Sequence, residues 1–155
     1  MPSYACEVLC QQAIAKAGAK YASERQKKTE KCLDTVTACI QLKPNDPDCI
    51  PKAQAKCSKP GEAVQGSADD PKTLAGKAKT AIVKGCKAVA PSDLLAPEGL
   101  GQAALTAQCQ AIGVPVLGSA ADVADCMLAF HACRADRLIE KQYPRAFELR
   151  DIGFD

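Results

Sequence analysis

Ten cysteines in 155 residues constrain this chain more than any other feature: Cys6, Cys10, Cys32, Cys39, Cys49, Cys57, Cys86, Cys109, Cys126 and Cys133. An even, dense set of this kind fits a disulfide framework. The rest of the composition makes such a framework useful. Three Phe, three Tyr and no Trp leave few of the large side chains that bury most area, and much of the apolar content is alanine. Each cross-link contributes roughly 2–4 kcal/mol by restricting the unfolded chain. Five bridges would offset a thin core and imply an oxidising compartment, extracellular or periplasmic, because cytosolic thiols stay reduced. The start, MPSYACEVLC, has neither a basic nor an apolar segment of the kind a secretory signal needs. The expectation is a mature chain in which an initiating Met stands in place of the export signal. No apolar run approaches 18 residues, so no transmembrane segment is expected.

Helical patterning fills the chain, and no alternating strand pattern of any length occurs, so the fold class is all-α. Residues 3–42 lack proline and carry one glycine, Gly18. With Ser3 as N-cap and Pro44-Asn45-Asp46-Pro47 as the stop, they predict one long helix, about 60 Å at 1.5 Å per residue. At about 100° per residue, Cys6, Cys10, Cys32 and Cys39 fall within one quarter of its surface, together with Ile14, Ala17 and Tyr21. These cysteines are expected along one buried seam. Asp48 and Pro51 open a second helix over 48–59, ended by Lys59-Pro60-Gly61, and 61–70 reads as a linker. Asp70-Pro71 is the expected N-cap and first residue of a third helix, 71–88, with Leu74, Ala78, Ala81, Ile82 and Cys86 on one side. A loop over 90–99 holds a short turn at 92–95. A fourth helix covers about 100–112 and stops at Gly113. Ser119 and Asp122 cap a fifth, reaching Gln142, with Val123, Cys126, Phe130, Cys133 and Leu138 facing inward. A short helix at 144–151 closes a single helical domain, 1–155, made of a hairpin unit (1–60), the linker and a helical remainder (71–155).

The stretch KCLDTVTACIQLKPNDPDCIPKAQAKC places Cys32, Cys39, Cys49 and Cys57 on either side of a turn. Seven or eight residues make two helical turns, so each pair presents both sulfurs on one face. Antiparallel helices then align Cys39 with Cys49 and Cys32 with Cys57. Cys32 and Cys39 lie about 10.5 Å apart along one helix, too far to bridge. Cys109 and Cys126 flank the turn at 113–118 and form a third expected pair. Cys6, Cys10, Cys86 and Cys133 remain, either as Cys6–Cys133 with Cys10–Cys86 or crossed.

Metal ligation and catalysis find little in the pattern. There is no C-x2-C and no H-x3–5-H, and the one C-x3-C is Cys6 to Cys10. That pair could hold Cu(I) inside a bundle. Copper-storing four-helix bundles repeat C-x3-C along several helices and add His or Met, whereas this chain has one such pair with Met1 and Met127. His131 is the single histidine, and two residues from Cys133 on a helix it points away from that thiol. Asp122 and Asp125 are ordinary acids of a first helical turn. No phosphate loop, G-x-S-x-G or H-E-x-x-H occurs. A non-enzyme without cofactor or bound metal is expected. The basic run Lys72, Lys77, Lys79, Lys84 and Lys87 reads as a solvated helix face; with net charge +2 and few aromatics, nucleic acid is not expected as a partner.

The hairpin KCLDTVTACIQLKPNDPDCIPKAQAKC is similar in design to twin-cysteine helical-hairpin modules, such as the coiled-coil-helix proteins of mitochondria, although those commonly space their pairs equally as C-x9-C. More broadly, CQQAIAKAGAKYASERQKKTEKC, KAKTAIVKGC and GLGQAALTAQCQAIGVP with ADVADCMLAFHACR resemble cysteine-rich exported bacterial proteins of deltaproteobacterial type. That resemblance implies export and disulfides only, since the family has no assigned activity to carry over. The leading expectation is a secreted or periplasmic structural or interaction protein, with a protein partner or self-association through part of the long first helix. A second is a binder of a small apolar ligand lined by Leu105, Val123, Met127 and Phe130, a design seen in insect odorant-binding proteins with other cysteine spacing. Soft-metal thiolate binding is the third.

Overall fold

The computed structural model describes residues 3–154; a capping role for the Ser3 side chain lies outside what is described. Among the described residues there are seven α-helices, one 3-10 turn and no strand. They are α1 (Ser3–Leu42), α2 (Cys49–Gln65), α3 (Leu74–Cys86), α4 (Pro91–Leu95), the 3-10 turn (Gln102–Leu105), α5 (Thr106–Ala111), α6 (Ala120–Gln142) and α7 (Ala146–Phe154). The fold is a disulfide-stapled helical bundle built around an unbroken first helix.

α1 is the spine of two hydrophobic cores. Its first half supplies Cys10, Ile14, Ala17 and Tyr21 to one core, with Ile82 and Cys86 from α3, Leu94 from α4, Cys109 from α5 and Val123, Ala124, Cys126 and Leu128 from α6. Its second half supplies Cys32, Leu33, Val36 and Cys39 to another, with Ala53 and Cys57 from α2, Ile139 from α6 and Ala146 and Leu149 from α7. The division therefore does not follow chain order. The C-terminal α7 packs on the N-terminal hairpin, and Gly153 sits against Cys32, Val36 and Cys57, where a Cβ would collide with the Cys32 sulfur. Because buried side chains run along α1 from Cys10 to Cys39, any projecting part is confined to its ends.

Several boundaries differ from the sequence expectation, each for a local reason. α2 runs through Pro60 and Gly61 to Gln65. Proline there removes one hydrogen bond to Lys56, but Lys56 is exposed and water can satisfy its carbonyl. Beyond Pro60, Gly61 lies under the Phe154 ring and Val64 is buried, so packing carries the helix across the breaker. The linker is correspondingly shorter. α3 begins at Leu74 rather than Pro71, because Thr73 is the cap that is used: its hydroxyl accepts from Gly76 N at 3.0 Å. Asp70 instead caps a turn, accepting from Lys72 N at 2.9 Å. The fourth helix is divided at Thr106 into a 3-10 turn and α5, and Gly113 after it takes φ +92°, a left-handed stop that favours glycine. Ser119 caps α6 as expected, accepting from Asp122 N at 3.3 Å. Asp122 returns the contact by accepting from Gly118 N and the Ser119 hydroxyl.

Candidate interaction surface

Four disulfides fix the framework. Cys39–Cys49 and Cys32–Cys57 close the hairpin, with Cα separations of 5.5 and 5.2 Å, and Cys109–Cys126 ties α5 to α6. Cys10–Cys86 clamps α1 to α3 with Cα atoms 4.3 Å apart. The expected fifth bridge is absent: Cys6 and Cys133 are both unpaired. Helix direction explains it. α1 and α6 run parallel, with Gly18 against His131, Arg25 bonded to Asp136 and Asp34 to Tyr143. Cys133 is therefore level with residues near 20, roughly 20 Å along α1 from Cys6 at 1.5 Å per residue. Such a separation is far beyond disulfide reach.

Both unpaired thiols were expected to face inward and do not. Cys6 is half-buried, about 80° from the middle of the buried arc of α1 on the helical projection. Cys133 is exposed, as is Leu138, and Phe130 is only half-buried. The buried stripe of α6 is not straight: it passes from Val123 and Cys126 to Ala135 and Ile139 as the helix leaves one core for the other. With Cys10 bonded to Cys86, the Cys6–Cys10 pair cannot supply two thiolates to a soft metal. Among the described residues no three His, Cys, Asp or Glu side chains converge on one point as a metal site requires.

Three of the four ligand-lining residues come together. Leu105, Met127 and Phe130 line a cleft of about 180 Å³ with Gln108, His131 and Arg134, while Val123 lies in the core. The His131 ring rests on Gly18, where a Cβ would overlap it. Burial first, and then repulsion from Arg134, hold its pKa below the ordinary histidine range. His131 thus faces α1 while Cys133 faces solvent, and the two form no dyad.

An extended concave surface lies elsewhere, between the antiparallel helices α1 and α3. At one end Ala17, Lys20, Tyr21 and Glu24 face Leu74, Lys77, Ala78 and Ala81 across a cleft of about 140 Å³. At the other, Cys6 and Leu9 face Ala81, Lys84, Gly85, Lys87 and Ala88 across a wider one of about 500 Å³. Ala81 belongs to both, so they form one groove. Apart from Tyr21 and Leu74 in the first cleft, the residues between its charged rims are mostly small, because the helices approach closely. A Cβ on Gly85 would overlap that of Ala13, and the Cys10–Cys86 bridge lies beneath. α6 covers the other side of this pair, packing against both helices. Leu9, 60% exposed, stands on the groove's edge, and the exposed Tyr4 and Val8 lie further round α1.

Sequence reasoning missed this groove, and it also missed a charged node at the junction of the cores. Arg25, only 8% exposed, donates to Asp136 through Nε at 3.1 Å and Nη2 at 2.8 Å, and to the Val64 carbonyl through Nη1 at 2.7 Å. Its place on the inward arc of the first helix, one turn after Tyr21, was the available signal. Burial works against the Arg25 charge, but the bonds to Asp136 and the neighbouring Tyr21 outweigh it and raise the pKa above the usual arginine value. Arg150 approaches the same carboxylate at 3.7 Å. Lys79 of α3 makes a comparable tie, reaching Asp69 at 2.8 Å and Asp125 of α6 at 2.9 Å. Among the described residues, no helix is long and apolar enough to cross a membrane. No protein-family model matches the chain, and no curated protein or solved structure is significantly similar to it.

Proposed function

We propose that the protein is a non-enzymatic interaction module of an oxidising compartment, extracellular or periplasmic, that works by presenting a rigid helical surface to a protein partner. Four buried or half-buried disulfides support the compartment, since such bridges persist where thiols are not kept reduced. The observation that carries the interaction reading is the α1–α3 groove: a concave, largely apolar surface held by a disulfide and left uncovered by the chain's own helices. The cleft at Leu105, Met127 and Phe130 favours a small apolar ligand as the second reading, but it is smaller and more polar at its rim.

Site-specific photo-crosslinking from Ala88, in protein exported to an oxidising compartment of its source cell, tests the first reading. A discrete adduct formed from Ala88, and not from the exposed Lys141 on α6, is the expected result. Folded protein that carries ten reduced cysteines in the cell, or no adduct from any groove position, would refute it. A ligand retained in native mass spectrometry and lost on Met127→Glu would favour the second reading.

A further inference from the structure

We infer that the α1–α3 groove receives an amphipathic helix with acidic flanks, supplied by the protein partner proposed above; the inference rests on that proposal and specifies the partner's chemistry. Three features carry it. The first is shape. Two antiparallel helices leave a furrow that a third helix fills by ridge-into-groove packing, and such grooves take apolar anchors spaced at i, i+3, i+4 and i+7. The opening here runs from Cys6 to Glu24 of α1, about 27 Å at 1.5 Å per residue, which matches five turns of a docked helix. The second is the floor. Apart from the buried Tyr21 and half-buried Leu74 at one end, the furrow is lined between its lysines mostly by small residues, Ala17, Ala78, Ala81, Gly85 and Ala88, so a partner's Leu or Ile side chains can approach its base.

The third feature is charge, and it selects the occupant. Lys20, Lys77, Lys84 and Lys87 line the two clefts, against one acid, Glu24, at the far end. Among the described residues none of these four lysines forms an ion pair, whereas the neighbouring Lys79 is held by Asp69 and Asp125. An acidic flank would meet this rim favourably and a basic one would be rejected. A second copy docked about a two-fold axis would bring the lysine rims together, so self-association through this face is disfavoured. An anionic lipid surface would also meet the charge. A bilayer, however, accepts a convex apolar face, and here the apolar surface that lies between the lysines is recessed, with only Leu9 raised at its edge.

The test uses the full, oxidised protein and a synthetic helix of about 18 residues, with a Leu/Ala stripe at i, i+3, i+4 and i+7 and glutamates on both flanks. Controls are the same stripe flanked by lysines, the acidic composition in scrambled order, and vesicles containing phosphatidylglycerol. The protein carries an environment-sensitive fluorophore on Cys6, at the groove wall, or on Cys133, outside it. The acidic helix should bind saturably, change the Cys6 signal and leave Cys133 unchanged. Affinity should fall about tenfold at low salt for the lysine-flanked helix and for Lys84→Glu with Lys87→Glu, and this discrimination should shrink as salt is added. Ala81→Phe, at an exposed position shared by both clefts, should block binding without altering the fold. Equal binding of all three peptides, no binding at all, or vesicle binding without discrimination among peptides would each overturn the inference. A photo-adduct from Ala88 that persists when the acidic helix fails to bind would leave the interaction reading standing and remove only the partner's assigned chemistry.

Discussion

Replacing Cys10 and Cys86 together by alanine should destabilise the protein more than removing any other bridge. This disulfide closes the longest loop, with 76 residues of separation against 25, 17 and 10 for the others. The entropy of loop closure in the unfolded chain puts it at about 4.5 kcal/mol, against about 3.5, 3.1 and 2.7 for the other three in that order. Both sulfurs lie in the first core, so the substitution also leaves a small void there, which adds to the loss. The Cys39–Cys49 pair is the natural comparison, because it closes the shortest loop at the hairpin tip and Cys49 is half-buried. At about 3 °C per kcal/mol for a chain of this size, the melting temperature should fall by about 13 °C for Cys10/Cys86 and about 8 °C for Cys39/Cys49. Calorimetry and urea unfolding of the two double variants measure the contrast directly. Equal losses, or a larger loss at Cys39/Cys49, would refute the reasoning and place the value of these bridges in native packing instead of chain restriction.

Thiol counting on the native protein should find two reactive cysteines, the exposed Cys133 ahead of the half-buried Cys6, with Cys133→Ser removing the fast phase. Arg25→Met should cost about 3 kcal/mol, the low end for breaking a buried ion pair, because Asp136 keeps Arg150 nearby; Arg25→Met with Asp136→Leu should recover much of that loss in urea unfolding. Tyr143 donates to Asp34 at 2.6 Å, and that bond, with some burial, pushes its pKa up to about 12. Its neutral form is favoured by folding, so this stabilisation is complete below pH 10 and is lost as pH rises toward 12; ultraviolet titration should show one late tyrosine that Tyr143→Phe abolishes. Asp122 is held below the ordinary carboxylate range by the Ser119 hydroxyl and the Gly118 and Ser119 backbone N–H groups. Its contribution is present above its unfolded value and lost as pH falls through the folded one, so Asp122→Ala should cost about 1 kcal/mol at pH 7 and progressively less as acid protonates the native carboxylate.

What the sequence made legible follows from how local each determinant is. The hairpin bridges could be read because turn, spacing and helical period all act within 26 residues, from Cys32 to Cys57. Ser119 was legible as a cap because its partners lie within three residues. The end of α2 was not, since Pro60 and Gly61 are strong local stops that are overridden by Phe154, 93 residues further along the chain from Gly61. Cys133 was misplaced for a related reason. A single helical projection assumes one buried face, and α6 serves two cores whose faces differ in direction.

The groove between α1 and α3 shows the same limit in a form that bears on function. Its components were visible one by one: an alanine-rich first helix, a lysine run without acids over 71–88, and Ala81 beside Ile82. On α3 alone, Ala81 reads as part of the inward side and the lysines as a solvated face. Only the register imposed by Cys10–Cys86, with Gly85 against Ala13, moves Ala81 out of the core and sets Lys77, Lys84 and Lys87 along an apolar furrow. The bridge that most restricts the unfolded chain is thus also the one that fixes this surface. Loss of Cys10–Cys86 should therefore weaken binding of the acidic helix even at temperatures where the variant remains folded, whereas loss of Cys39–Cys49, in the other core, should not. Parallel affinities for the two double variants, measured well below both melting transitions, would separate the groove from the framework and count against its role.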